Sequence, residues 1–154
     1  MRVVIQRVTH ASVRIAGETA AGIGPGMLLL VGIAPEDSME DIDYICRKII
    51  SLRIFNDAKG VMNLDIRTVN GECLAVSQFT LFADTRKGNR PFYGGAAGPE
   101  KAAPLYKRFV EHLQTLLGRS VPSGTFGADM QVELCNDGPV TILLDSKARE
   151  VEKH

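Results

Sequence analysis

Two rhythms of apolar residues run along this chain, and each predicts a different kind of element. In the first third the spacing suits strands. Residues 3–8 are rich in β-branched side chains, and residues 12–15 alternate polar with apolar. Ala16-Gly17 predicts a hairpin turn into a strand over 18–23. Gly24-Pro25-Gly26 predicts a second turn. Residues 27–33 form a continuous apolar run of the kind a strand buried on both faces shows. Residues 38–52 then change period. Ile42, Ile45, Cys46, Ile49 and Ile50 repeat at helical spacing, and Ser38 with Asp41 spells a capping box at the start.

Beyond this helix, Asn56-Asp57-Ala58-Lys59-Gly60 is a turn signal and residues 72–79 predict another strand. Residues 85–99 are rich in glycine and basic residues without periodicity, which predicts a long ordered loop. A second helix is expected over 99–117. Pro99 suits its first turn, Pro104 has to lie near its start, and Gly118 suits its C-terminal cap. Residues 130–134 and 140–144 read as the last two strands, joined by a turn at 135–139. Strands dominate, with mostly short links between them. The expected fold is therefore α+β, with mostly antiparallel sheets curled into a partial barrel and two main helices packed on them. The expected organisation is a single domain over 1–146, followed by a polar C-terminal tail over 147–154 that frays.

The 154 residues are enough to bury a core, and the hydrophobic share of 45% is globular. The formal net charge is zero, so a polyanionic partner would have to be met by a local basic patch or through a small footprint. Cys46, Cys73 and Cys135 have no Cys-x-x-Cys pairing and are expected to be buried small hydrophobes in a reducing compartment. No apolar run is long enough for a membrane span, and the N-terminus lacks a signal-peptide pattern; the expected location is the cytoplasm. Gly22-x-Gly24-x-Gly26 is interrupted by Pro25 and followed by a strand, so it reads as a turn and not as a dinucleotide loop. His10, His112 and His154 lack metal-ligand spacing, and Asp57-x-x-Gly60 lacks that of a calcium loop. No metal and no cofactor are expected.

Two segments carry candidate chemistry. Ser77-Gln78-Phe79-Thr80 closes a strand with three hydrogen-bonding side chains around one aromatic ring. Backbone N–H groups freed at a strand end can face a developing oxyanion. Thr80 is a possible nucleophile, but no acid or histidine stands beside it in sequence to activate it. On spacing alone, a strand end whose side chains cap a turn is favoured. Asn136-Asp137-Gly138-Pro139 reads as a hairpin turn. A cis Gly-Pro bond there would aim two rigid carbonyls in an unusual direction.

Ser77-Gln78-Phe79-Thr80-Leu81 and Asn136-x-Gly138-Pro139-Val140-Thr141 resemble the two signature motifs of the D-aminoacyl-tRNA deacylases of bacteria and eukaryotes. The start Met1-Arg2-Val3-Val4-Ile5-Gln6-Arg7-Val8, the stretch Gly60-Val61-Met62-Asn63 and Lys87-Gly88-Asn89-Arg90-Pro91-Phe92 extend the resemblance to about Ser146. It implies hydrolysis of the ester bond of D-aminoacyl-tRNA, with the 3′-terminal adenosine beside the catalytic segment Ser77, Gln78, Phe79 and Thr80. It also implies a homodimer in which Gly138 and Pro139, supported by Arg7, Asn136 and Thr141, reach into the partner's site and select chirality. A related animal family has a different first motif and accepts an L-amino acid; Ser77-Gln78 favours the D-specific branch. Arg86, Lys87 and Arg90 form the dense basic group beside a motif and are the candidate tRNA contact, weighed equally against a solvated loop. Two other classes stay open: a non-catalytic RNA-binding module, for which an aromatic content of 6% supplies few stacking platforms, and a small-molecule esterase using Thr80.

Overall fold

The computed structural model describes residues 1–149. Its centre is strand β1 (Arg2–Ile15), which antiparallel neighbours flank on both edges. On one edge β1 pairs first with β3 (Gly26–Gly32) and then with β2 (Glu18–Ile23); along the other runs β7 (Gln131–Asp145). The sheet continues through a parallel pairing of β3 with β6 (Glu72–Ser77). Residues 3–8 and 12–15, expected as separate strands, are therefore one strand. The Ala16-Gly17 turn is as expected, with positive φ at both residues.

Alternation along these strands loads both faces of the sheet. Met27, Leu29, Cys73 and Ala75 join the larger core with the helices, whereas Leu28, Leu74, Val8, Val13 and Val76 form a second core inside the curl. That two-sided burial is why residues 27–31 carry no polar side chain at all. The result is the expected α+β half-barrel, with a mixed sheet and two long helices on its outer face.

Helix α1 (Met39–Ser51) begins on the Ser38–Asp41 capping box and packs Ile42, Ile45 and Ile49 into the larger core. Helix α2 (Pro99–Leu117) lays Phe109 and Leu113 against it and ends on Gly118 in the left-handed region. Pro104 is the sixth helical residue and exposed, so its missing N–H falls on the wet side. The short hairpin of β4 (Phe55–Asn56) and β5 (Met62–Leu64) stands apart from the main sheet. After α2, residues 122–124 return along β6: Ala75 N–H donates to Pro122 O and Gly124 N–H to Ala75 O. Cys46 and Cys73 are buried as expected, and burial pushes the Cys73 thiol up to about 12. Cys135 differs: it is exposed, because it falls on the outward face of edge strand β7.

The polar end is folded further than expected. Residues 146–148 make a 3-10 turn, Lys147 Nζ sits 3.0 Å from Asp41 Oδ1, and Arg149 pairs with Glu40. The expected fraying of residues 150–154 lies outside the described residues. Beneath Lys147 the Met1 ammonium donates to Asp37 Oδ1 at 2.7 Å and to Ser146 Oγ at 2.9 Å, all buried.

Burial raises the Asp41 carboxyl, but hydrogen bonds from Ser146, the Ser38 N–H and Lys147 outweigh it and hold the group well below the usual carboxylate range. A carboxyl depressed in the fold stabilises it above the unfolded value near 4, and that contribution is lost as pH falls below it. Asp41→Asn is expected to cost about 2 kcal/mol in urea denaturation at pH 7 and to shrink the difference from wild type at pH 2–3.

Candidate active site

Register along β1 and β7 contains the decisive irregularity. Gln6 faces Thr141 and Val8 faces Asn136, so residues 137–140 all oppose Arg7. The segment expected as a hairpin turn is instead an excursion within one strand, both of whose flanks pair with β1. The turn residues were read correctly as a break, but both arms return to the same partner. Arg7 lies under the excursion, 7% exposed. Its Nε donates to Asp137 O at 2.8 Å, and its Nη1 donates to Ile54 O at 2.6 Å and to Asn56 Oδ1 at 3.3 Å. Asn136 closes the excursion from the other side. Its Oδ1 accepts from Val140 N–H at 2.7 Å, and its Nδ2 donates to Val140 O and Thr141 Oγ1. The Gly138-Pro139 peptide is cis, with Gly138 at φ +137°. A side chain at 138 would be strained there and would also meet Val140 and Arg7. Both Gly138 and Pro139 are exposed.

None of the excursion's residues lines the cavity of about 610 Å³ that the chain encloses elsewhere. Its floor is the end of β3 and β6, at Val31, Ile33, Val76 and Ser77; its walls come from residues 78–79, 93–102 and 126–132. The lining is largely apolar, with Ser77, Gln78, Tyr93 and Asp129 as its members with polar side chains and no histidine or cysteine. Phe79 and Tyr93 form an edge-on pair with centroids 5.1 Å apart at the rim.

The chain turns sharply where β6 ends, because residues 79–82 wind into a 3-10 turn. The Gln78 N–H is spent on Val31 O at 2.8 Å, so it is not the free donor expected from the strand-end position. Among the described residues the Phe79 and Thr80 N–H groups have no acceptor, as the opening donors of a helical turn. The Thr80 hydroxyl accepts from the Gln78 amide and is not among the cavity-lining residues. An amide donor does nothing to remove a proton from it. His112 pairs with Asp43 on the helices at 2.8 Å, far in sequence from either motif. Among the described residues no group of three or more His, Cys, Asp or Glu is arranged to hold a metal.

Of the basic trio, Arg86 is committed: it forks onto Asp84, and holds that carboxyl down to about 2. Lys87 and Arg90 are exposed and form no ion pair among the described residues. The structure thus brings Ser77, Gln78 and Phe79 to one cavity, and Arg7, Asn136, Gly138, Pro139 and Thr141 to a separate exposed knuckle. Sequence reasoning did not find the cavity walls, Tyr93, Ala96, Ala97 and the 126–130 loop, whose small residues carry no chemical signal.

The sequence pattern of the D-Tyr-tRNA(Tyr) deacylase family matches residues 4–145. This chain belongs to that family. It is 58% identical over 150 residues to a D-aminoacyl-tRNA deacylase of Bacteroides thetaiotaomicron, covering 97% of this chain and 100% of the relative. A D-aminoacyl-tRNA deacylase of Akkermansia muciniphila is 56% identical over the same coverage. Among solved structures, one titled a c-Myc DNA unwinding element binding protein superposes with a TM-score of 0.90 at 41% identity, covering 94% of this chain and 98% of that one. A probable eukaryotic D-amino acid tRNA deacylase shares the fold, with a TM-score of 0.81 at 17% identity over 93% of this chain and 97% of that one.

The knuckle is a clamp of named hydrogen bonds, and its removal has a local signature. Asn136→Ala is expected to release the Val140 amide, read as faster hydrogen exchange at residues 137–141 with β3 unchanged. Arg7→Ala strands two carbonyls and is expected to cost about 3 kcal/mol in chemical denaturation, of which Arg7→Lys recovers only part.

Proposed function

We propose that this protein hydrolyses the ester of D-aminoacyl-tRNA, releasing the free D-amino acid and tRNA. The observation that carries this reading is that Ser77, Gln78 and Phe79 open onto the cavity of a chain belonging to this family. The 3′-terminal adenosine lies in the cavity against Phe79 and Tyr93. The ester carbonyl oxygen faces the unengaged N–H groups of Phe79 and Thr80, and these donors stabilise the negative charge that develops when water adds. The bond between acyl carbon and ribose oxygen then breaks, and the ribose regains its hydroxyl. Such an ester is already activated, so positioning and oxyanion stabilisation suffice, helped by the neighbouring ribose hydroxyl. Support for water over Thr80 as the nucleophile comes from the Gln78 contact, which occupies the hydroxyl without activating it.

Chirality is set by the Gly138-Pro139 knuckle of a second copy. Within one chain neither residue lines the cavity, yet both are exposed on a clamped projection. Placed in the partner's cavity, their carbonyls occupy the space an L side chain needs and leave D side chains pointing outward. Rejection works by clash, so glycine passes. The protein acts as a homodimer in the cytoplasm, where its substrate is, and Lys87 and Arg90 meet tRNA phosphates.

Incubation with D-tyrosyl-tRNA, L-tyrosyl-tRNA and glycyl-tRNA tests the reading. Release from the first and third with the second spared is the expected outcome; equal cleavage of D- and L-tyrosyl-tRNA would remove the filter. Thr80→Ala is expected to keep turnover within about tenfold of wild type, whereas loss of a required nucleophile would cost several orders of magnitude. Gly138→Ala is expected to cleave L- as well as D-tyrosyl-tRNA, and an excess of Ala128→Trp, whose cavity is filled but whose knuckle is intact, is expected to restore discrimination on mixing by supplying the filter to the Gly138→Ala cavity. No restoration would refute a site completed in trans.

A further inference from the structure

Phe92 is the most exposed aromatic side chain of the described residues, at 68%, and it is held in place. Its backbone is fixed on both sides of an isolated bridge: Asp84 N–H donates to Phe92 O at 2.7 Å and Phe92 N–H to Asp84 O at 2.9 Å. The tip of its ring abuts Gly94, so closely that a Cβ at position 94 would overlap ring atoms Cζ and Cε1. The tip of the ring is therefore seated against main chain while much of its surface is bare to solvent. Exposing an aromatic ring this far costs the burial it would gain in a core. The next residue, Tyr93, lines the cavity and meets Phe79 at the rim. The same loop carries Lys87 and Arg90, whose charges are not spent on carboxylates among the described residues. A seated ring, a neighbouring pair of cations and a cavity entrance one residue away form a track for single-stranded nucleic acid, on which bases stack and phosphates are neutralised.

We propose that the Phe92 ring is a stacking platform for the penultimate base of the tRNA 3′ end, steering the terminal nucleotide into the cavity. The inference rests on the functional reading above, in which the terminal adenosine occupies that cavity. Stacking is indifferent to base identity, so the platform sets affinity and register without selecting a sequence. Phe92 is a positioning residue and touches no reacting atom.

The test compares two substrates of the intact protein: D-tyrosyl-tRNA, and the minimal ester 3′-O-(D-tyrosyl)adenosine, which has no penultimate base. Phe92→Ala is expected to lower kcat/KM on D-tyrosyl-tRNA by about tenfold, chiefly through KM, and to leave the minimal ester within about twofold. Phe92→Trp is expected to retain both. Gly94→Ala, which drives the ring off its seat, should reproduce the Phe92→Ala pattern. A second readout is independent of hydrolysis: a short RNA ending in CCA, with 2-aminopurine at the penultimate position, is expected to be quenched by wild type and not by Phe92→Ala. Equal losses on the two substrates would mean that the change distorts the cavity through Tyr93 and would overturn the proposal. So would an unchanged kcat/KM on D-tyrosyl-tRNA, unchanged quenching, or a shift of Phe92→Ala to a smaller assembly in sedimentation, which would assign the ring to a contact between copies. Failure of wild type itself to cleave D-tyrosyl-tRNA would sink the functional reading, and the quenching result would still decide the role of Phe92.

Discussion

Arg7 is the residue on which the arrangement turns. Strand β1 is paired on both edges, and its neighbour β7 holds one register up to Gln6, places four residues opposite Arg7 and shifts again between Val8 and His10. Such a mismatch leaves backbone groups without ladder partners, and buried groups of that kind are costly. The guanidinium supplies what the ladder cannot. It donates to the Asp137 carbonyl in the excursion and to the Ile54 carbonyl and Asn56 side chain beneath it. A planar fork with several donors can satisfy acceptors in two directions at once; an ammonium on a flexible stem cannot do so with the same geometry. The knuckle therefore projects from within a long strand whose two flanks both pair with β1, and a projection anchored this way is stiffer than a loop at the end of a hairpin.

The same strands are pinned at the other end by charge. The Met1 ammonium, Asp37, Ser146 and Asp41 form a buried polar knot where β1 starts, α1 begins and β7 stops. Buried charges are stable only when paired and hydrogen-bonded, and each of these has several partners. Because the knot ties the beginning of β1 to the end of β7, it helps fix their register against sliding. A slip of one residue would move Arg7 out from under the excursion and turn every side chain of the strand to the wrong face.

Much of this fold was legible because its signals are local. Ser38 and Asp41 sit three apart at the head of an apolar stripe, Gly118 follows the second helix, and the 27–31 run has no polar position; each fixes an element without reference to a partner. The errors arose where the answer is non-local. Asn136-Asp137-Gly138-Pro139 has the composition of a hairpin turn, and nothing within those residues says that both flanks pair with β1. In the same way, Gln78 looks like a strand-end residue with a spare N–H until Val31 is found beside it. Cys135 looked like a buried small hydrophobe, but edge strand β7 turns it to solvent. The cavity was illegible for a different reason. Ala96, Ala97, Gly127 and Ala128 contribute by being small, and absence of a side chain leaves no chemical trace in a sequence.

Under the proposed mechanism, the separation of the two motifs lets hydrolysis proceed without a charged catalytic apparatus. Ser77, Gln78 and Phe79 border an apolar cavity, where the donors able to act on a carbonyl belong to the backbone. Backbone donors held by a tight turn are already aimed before the substrate arrives, and they act on an ester that needs little further activation. In the proposed assembly discrimination comes from a rigid group approaching from elsewhere, and the knuckle clamped by Arg7 and Asn136 is the projection that one chain presents outside its own cavity. A filter carried on a different element from the oxyanion donors can be made strict by stiffening alone, with no change to the groups that stabilise the transition state. In that proposal it also ties selectivity to assembly: a lone chain that retained its cavity would still lack the means to tell one hand from the other.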